Sequence, residues 1–221
     1  LSASLDEIVA RRVDELAEYQ DERYARRYAA LVERVRAAER ALVGDAKPAF
    51  TEAVARNLFK LMAYKDEYEV ARLYTSGAFL ERLNERFEGG FRLGFHLAPP
   101  LLARRNAKGE LVKREYGPWM FKAFALLARL RRLRGTAFDP FGRSAERRME
   151  RRLIADYEAD VERLIAALDA RRLPLATQIA SIPEEIRGFG HVKERNLKAA
   201  LARRQDLLDE YFATREAAAA H

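Results

Sequence analysis

Apolar residues recur along most of this chain at three- and four-residue steps, the period of helices that bury one face. Leu5, Ile8, Val9, Val13, Leu16, Tyr24, Tyr28, Leu31, Val35 and Leu42 follow that rule. They predict one opening helix of about forty residues, on the order of 60 Å long at the standard rise. Ser4 and Glu7 have the spacing of a capping box at its start. A stripe so long braces the whole domain or packs on another chain or domain. Residues 44–48 break it. A second helix is predicted from about residue 48 to 76. Val54, Leu58, Leu61 and Tyr68 line one face and Phe59, Met62, Val70 and Leu73 another, so it is apolar over much of its girth and central to the fold. A short helix carrying Phe79, Leu80, Leu83 and Phe87 stops at Gly89 and Gly90.

The period then changes to two. Phe91, Leu93, Phe95 and Leu97 alternate with Arg92, Gly94 and His96, as in a half-buried strand. Ala98, Pro99 and Pro100 end it. Residues 106–109 have turn chemistry and 111–116 read as a return strand. A hairpin alone is marginal in water, so this one must lie on helices. Pro118 suits a first helical position, and Trp119, Phe121, Phe124, Leu127 and Leu130 continue at helical spacing to Leu133. Arg134, Gly135 and Thr136 make a helix exit, and residues 139–142 a tight turn. Ser144 can cap the next helix, whose stripe of Met149, Leu153, Tyr157, Val161, Leu164 and Leu168 runs to about residue 172, where Pro174 ends it. Residues 176–182 add a helical turn or two. Gly188 and Gly190 flank Phe189 and allow a sharp turn or close approach. Val192, Leu197, Leu201, Leu208 and Tyr211 place a final helix to about residue 215, with a frayed end.

The fold class is therefore mainly α: a multi-helix domain with a long N-terminal helix and one inserted antiparallel β-hairpin. No internal repeat or linker obliges a cut. Residues 1–221 read as a single domain, with N-terminal helices over 1–88, the hairpin over 89–117 and C-terminal helices over 118–221.

Composition narrows the classes. A chain of 221 residues that is 49% hydrophobic can bury a real core. It contains no run of eighteen apolar residues and no signal-type sequence near Leu1. Its first residue is not Met, which suggests a fragment or processed product. With no cysteine, it has no disulfide, thiolate metal site, cysteine-ligated iron-sulfur cluster or cysteine nucleophile in this segment. A cytoplasmic setting fits. The net charge of +7 invites a basic helical nucleic-acid-binding module as one reading. Against it, the arginines are interleaved with Asp and Glu along nearly every helical stretch, the pattern of solvated faces.

Lys65, Asp66, Glu67 and Arg72 sit inside an apolar frame. Burying such charges unpaired would cost several kcal/mol, so they pair with one another or with distant partners, or they face a ligand. Arg129, Arg131, Arg132 and Arg134 form the densest basic run, followed by Arg147, Arg148, Arg151 and Arg152. These suit a phosphate-bearing ligand such as coenzyme A or an acidic neighbouring domain. The other reading is a solvated face paired to Glu146 and Glu150. His96 and His191, with His221 at the tail, have no metal-ligand spacing, and a hydrogen-bonded structural role suits both better. No common phosphate-cradling, hydrolase or zincin motif occurs, and no carboxylate pair stands out as acid and base.

Five phrases, however, are specific in combination: LFKLMAYKDEYEVARLYT at 58–75, FHLAPPLL at 95–102, YGPWM at 116–120, LRGTAFDPFG at 133–142 and IRGFGHVKERN at 186–196. In this order they resemble the C-terminal region of the fused indolepyruvate ferredoxin oxidoreductases, a bacterial branch of the 2-oxoacid:ferredoxin oxidoreductases. The resemblance implies a parent enzyme that decarboxylates aryl 2-oxoacids on thiamine diphosphate, passes electrons through iron-sulfur clusters to ferredoxin and forms an acyl-coenzyme A. This segment has neither cysteine nor a GDG-type thiamine diphosphate motif, so those cofactors belong elsewhere in the parent, and no catalytic or metal-binding residue is carried over. The expectation is a non-catalytic accessory domain that docks on catalytic domains of the same polypeptide or supports a homodimer. The alternative is a domain that contributes residues to a coenzyme A or oxoacid pocket in the full enzyme. The candidate ligand or docking cluster comprises Lys65, Asp66, Glu67, Arg72, His96, Arg134, Asp139, Arg187, His191 and Lys193.

Overall fold

Residues 5–43 fold as two helices. α1 (Leu5–Tyr19) starts on the expected capping box: the Glu7 N–H donates to Ser4 Oγ at 3.2 Å and the Ser4 N–H to Glu7 Oε2 at 2.7 Å. The chain breaks at Gln20, and the Asp21 carboxylate accepts the Tyr24 N–H at 2.8 Å to open α2 (Glu22–Val43). An N-cap Asp satisfies an amide that has no partner within its helix. α1 packs on α2, and Arg36, late in α2, reaches Asp6 in the first turn of α1 at 2.7 Å, so the two run antiparallel. This corrects the single forty-residue helix. So long a stripe leaves water only by meeting another stripe, and folding back supplies one from the same segment.

The predicted second helix is likewise two, α3 (Ala49–Met62) and α4 (Glu67–Thr75). Asp66 caps α4 by accepting the Glu69 N–H at 2.9 Å. The break coincides with a division of the chain into two compact units, Leu1–Ala63 with Glu150–His221, and Tyr64–Met149. This computed structural model describes residues 4–44, 47–86, 94–97, 112, 114–188 and 191–219, with side chains omitted at 78, 80, 82–84 and 214–219. It is mainly helical, with one two-stranded antiparallel sheet among those residues. None of the described helices is long and apolar enough to cross a membrane.

In the first unit α3 is central, as its two apolar faces predict. It packs on α1, α2 and α8 (Leu173–Ser181), burying Phe50, Val54, Leu58, Leu61 and Met62. α7 (Ala145–Ala166) buries the expected Leu153, Tyr157, Val161 and Leu164 but stops before residue 172. Pro174 lies in the first turn of α8 rather than after α7, a position where its missing N–H is not required. A 3-10 turn (Ile182–Glu185) leads on to α9 (His191–Ala219), which packs on that turn and on α8.

Tyrosines tie these helices to one another by donating to backbone carbonyls: Tyr24 to Met62 and Tyr28 to Ala55 at 3.0 Å, Tyr157 to Ala180 and Tyr211 to Leu164 at 2.9 Å. Burial pushes Tyr28 up to about 12 against the pull of Arg12, and Tyr211 up to about 12 against that of Arg172. A phenol with a raised folded-state value stabilises the fold fully below its unfolded value, near 10, and that contribution is lost as the pH rises through the folded value. The urea midpoint should therefore fall between pH 10 and about 12. In Tyr28→Phe the fall should be shallower, and tyrosinate absorbance should lose one of its late-titrating groups. Identical pH profiles for the two proteins would contradict this account.

The second unit contains α4, α5 (Gly77–Arg86), β1 (Phe95–Leu97), β2 (Arg114–Tyr116) and α6 (Trp119–Arg129), which tightens into a 3-10 turn (Leu130–Leu133) before the start of α7. The strands pair antiparallel, with Phe95 opposite Tyr116, His96 opposite Glu115 and Leu97 opposite Arg114. The predicted alternation holds here, with Phe95 buried and His96 exposed. Phe91, Leu93, the stop at Gly89 and Gly90, and the turn at 106–109 lie outside the described residues. Phe95, Met120, Phe124 and Ala71 make the core, and Tyr74 stacks on Phe124 at 5.5 Å with Phe95 edge-on to both rings. The sheet thus rests on helices, as a lone hairpin requires. The inner face of α6 is Met120, Phe121, Phe124, Leu127 and Ala128. Trp119 and Leu130, predicted to lie on that face, are exposed. α6 is apolar nearly all round, so its periodicity leaves several faces equivalent, and packing on α4 and β1 selects one.

Candidate functional site

The charges at the start of α4 are held by the segment that follows α6. Asp66 is fixed at the α4 N-cap. Arg134 follows the 3-10 turn, just before Gly135, whose φ of +73° turns the chain through a conformation that glycine adopts freely. Arg134 donates from Nε to Asp66 Oδ2 at 2.6 Å and from Nη2 to Oδ1 at 2.9 Å, a two-bond pair in which the residues are 4% and 3% exposed. Two residues along α4, the Tyr68 hydroxyl donates to Asp139 Oδ1 at 3.2 Å. Asp139 also accepts the Gly135 N–H at 2.7 Å and the Phe141 N–H at 3.0 Å, which pins the predicted tight turn. The Arg134 guanidinium lies 5.4 Å from the centre of the Tyr68 ring, and Phe141 meets that ring edge-on at 5.4 Å. Burial, and after it the charge of Asp139, raises the Tyr68 pKa, so the phenol stays a neutral donor.

A second pair flanks this network. Glu67 accepts from Nε and Nη2 of Arg147 at 3.3 Å each, and Arg147 lies 5.8 Å from the centre of the Tyr64 ring. Arg72 is bonded to Glu69 at 2.9 Å. The charges of residues 65–72 are thus largely paired, as their apolar setting predicts, but Arg147 answers Glu67 rather than Glu146 or Glu150. Glu150 is held instead by Lys193.

Of the ten candidates, Asp66, Arg134 and Asp139 come together around Tyr68, with Glu67 and Arg72 beside them on α4. Lys65 is exposed, and His96 stands exposed on β1. Arg187, His191 and Lys193 belong to the other unit. Arg187 donates to the Glu184 carbonyl at 2.6 Å, and His191 is exposed at the first residue of α9. Near them is a residue absent from the candidate list, Lys60, which donates to the Pro183 carbonyl at 2.6 Å. Partial burial lowers its pKa, and the charges of Arg187 and Lys193 lower it further. Sequence reasoning also missed Glu39, buried on α2, and Asp160, which pairs with Arg204. A signal existed for both. Each stands on an apolar stripe, Glu39 four residues after Val35 and Asp160 three after Tyr157, where a carboxylate needs a built-in partner.

Chemically, the Tyr68 network joins two chain segments through bonds that occupy every oxygen of Asp66 and Asp139. Among the described residues, no group of three or more His, Asp or Glu is arranged to hold a metal ion. These features define a mainly helical protein whose second unit is clamped by a buried ion-pair and tyrosine network. The chain belongs to the family described as a family of unknown function (DUF6537), whose profile matches residues 5–206. No curated protein and no solved structure matches it.

Proposed function

We propose that the chain is a non-catalytic accessory domain of an indolepyruvate:ferredoxin oxidoreductase-like enzyme that oxidatively decarboxylates aryl 2-oxoacids, and that it docks on the enzyme's catalytic domains. The five ordered phrases that resemble that family supply the enzyme class. The observation that carries the accessory role is the bonding between two of them. Asp66 and Tyr68 of LFKLMAYKDEYEVARLYT bind Arg134 and Asp139 of LRGTAFDPFG, so these four polar residues are engaged in architecture. Thiamine diphosphate, iron-sulfur clusters and the ferredoxin contact then belong to the rest of the parent enzyme, in a cytoplasmic setting. Deleting the domain from the parent should lower assembled size or cofactor retention, read by sedimentation and by bound iron and thiamine diphosphate. A truncated enzyme of native size and full activity would overturn the proposal.

One observation favours a second reading, in which the domain lends residues to a coenzyme A or oxoacid pocket. In the first unit Lys60 and Arg187 donate to the adjacent carbonyls of Pro183 and Glu184, which brings two cations to one 3-10 turn. Arg187→Ala in the parent separates the two readings. A normally assembled enzyme with a raised KM for coenzyme A supports the pocket, and an unchanged KM removes it.

A further inference from the structure

α6 is apolar on more than the face it buries. Away from its inner side, Trp119, Ala123 and Leu126 stand exposed, Trp119 and Leu126 at 59% and 60%, and so does Leu130, the first residue of the 3-10 turn that follows. Steps of four and three residues confine the three α6 residues to a strip roughly 60° wide on a helix of 3.6 residues per turn, and Leu130 follows four residues after Leu126. This is the a/d seam spacing of paired helices. The solvent side of a helix normally carries polar residues at these places, and contiguous exposed apolar surface marks an interaction site.

The charges beside the seam select the partner. Lys122 and Arg129, both exposed and seven residues apart, flank one edge at the positions that form interhelical ion pairs in coiled coils. Met120 and Leu127, turned into the core, lie along the other edge. No Asp or Glu occurs between residues 117 and 138. A second copy of this chain answers the charge badly. Antiparallel pairing sets Lys122 and Arg129 against their own counterparts, and parallel pairing sets them against the apolar edge. A flat anionic membrane would neutralise the cations but gives no reason for a seam in heptad register.

We propose that this face of α6 docks an acidic amphipathic helix of a partner segment, roughly three turns long, with apolar residues in its seam and carboxylates along the edge that meets Lys122 and Arg129. This deepens the docking reading and rests on it for the setting, a larger assembly that brings such a helix to the domain.

Trp119 is the single tryptophan of the chain, so its emission reports the site directly. The probes are two synthetic helices of about three heptads with Leu at every a and d position, one with Glu and one with Lys at e and g. With the 221-residue chain, the Glu helix should shift Trp119 emission to shorter wavelength saturably and bind about tenfold or more tightly than the Lys helix, less so at high salt. Lys122→Glu with Arg129→Glu should reverse that preference. Leu126→Asp should abolish binding with an unchanged circular-dichroism melt, since Leu126 is exposed. No shift with the Glu helix, or equal binding of both helices, overturns the proposal. So does a shift produced by phosphatidylserine vesicles without any peptide, which assigns the face to a membrane, or a concentration-dependent shift with doubled mass, which assigns it to a second copy. The outcomes are separable from those of the accessory reading, because that reading is tested by deletion in the parent enzyme and this one on the isolated chain.

Discussion

Asp66→Ala is expected to lose about 3–5 kcal/mol of stability, because removing one member of a buried ion pair leaves the other charge stranded. Arg134 is 4% exposed and its Nε and Nη2 both bond Asp66, so the guanidinium would keep its burial and lose those bonds. The same substitution removes the α4 N-cap, worth about 1 kcal/mol more. Against a typical total of about 5–15 kcal/mol, the second unit should be close to unfolded. Urea unfolding followed at Trp119, which lies in that unit, is the direct measurement. Replacing both partners, Asp66→Leu with Arg134→Met, should be milder than the single change, since neither member of the pair is left buried without the other. A loss under about 1 kcal/mol for Asp66→Ala would mean that water reaches Arg134 and that the pair is a surface pair in energetic terms.

The second large effect is expected at Glu39→Ala. Glu39 is 1% exposed and accepts three hydrogen bonds, from the Phe50 N–H at 3.0 Å, the Thr51 N–H at 2.8 Å and the Thr51 hydroxyl at 2.6 Å. The α3 N-cap is Pro48, which supplies no side-chain cap, so a carboxylate from α2 does that work across the helix pair. Its negative charge also faces the positive end of the α3 dipole. Alanine would leave three buried donors unanswered at a cost of about 3 kcal/mol or more. Glu39→Gln, with one acceptor oxygen in place of two, should fall between wild type and Ala. Hydrogen exchange localises the effect: the Phe50 and Thr51 amides should lose protection in both variants, beyond the change in global stability. Retained protection at those two amides would show that another group caps α3.

Both residues show where sequence reasoning reaches its limit. That charges near Asp66 needed partners followed from their apolar frame, and that residues 139–142 turn followed from their chemistry. That Arg134, 68 residues away, would be the partner did not follow. The helix breaks at Gln20 and Ala63 were hidden for a related reason. From Leu16 to Tyr24, and from Leu61 to Tyr68, the apolar positions stay in phase, so a stripe that continues and a stripe that restarts look alike. The N-cap residues Asp21 and Asp66 were the only local marks, and an Asp inside a helical pattern acts as a cap only when the chain around it turns. For α6 the ambiguity was rotational, because apolar residues on nearly every side let more than one face serve as the inner one.

What the chain determined by itself is what depends on near neighbours in sequence: helical periodicity over most of its length, the capping box at Ser4, the two-residue alternation into β1, the Ser144 start of α7 and the tight turn at Asp139. Each is governed by backbone geometry and side chains a few residues apart. Tertiary structure decided which stripe meets which, that Glu39 caps a helix other than its own, that Asp66 and Tyr68 are answered by Arg134 and Asp139, and that Trp119 and Leu126 face solvent. Those outcomes depend on burial and on partners far along the chain. The same charged residue is a solvated surface group or a clamp according to whether folding takes water away from it.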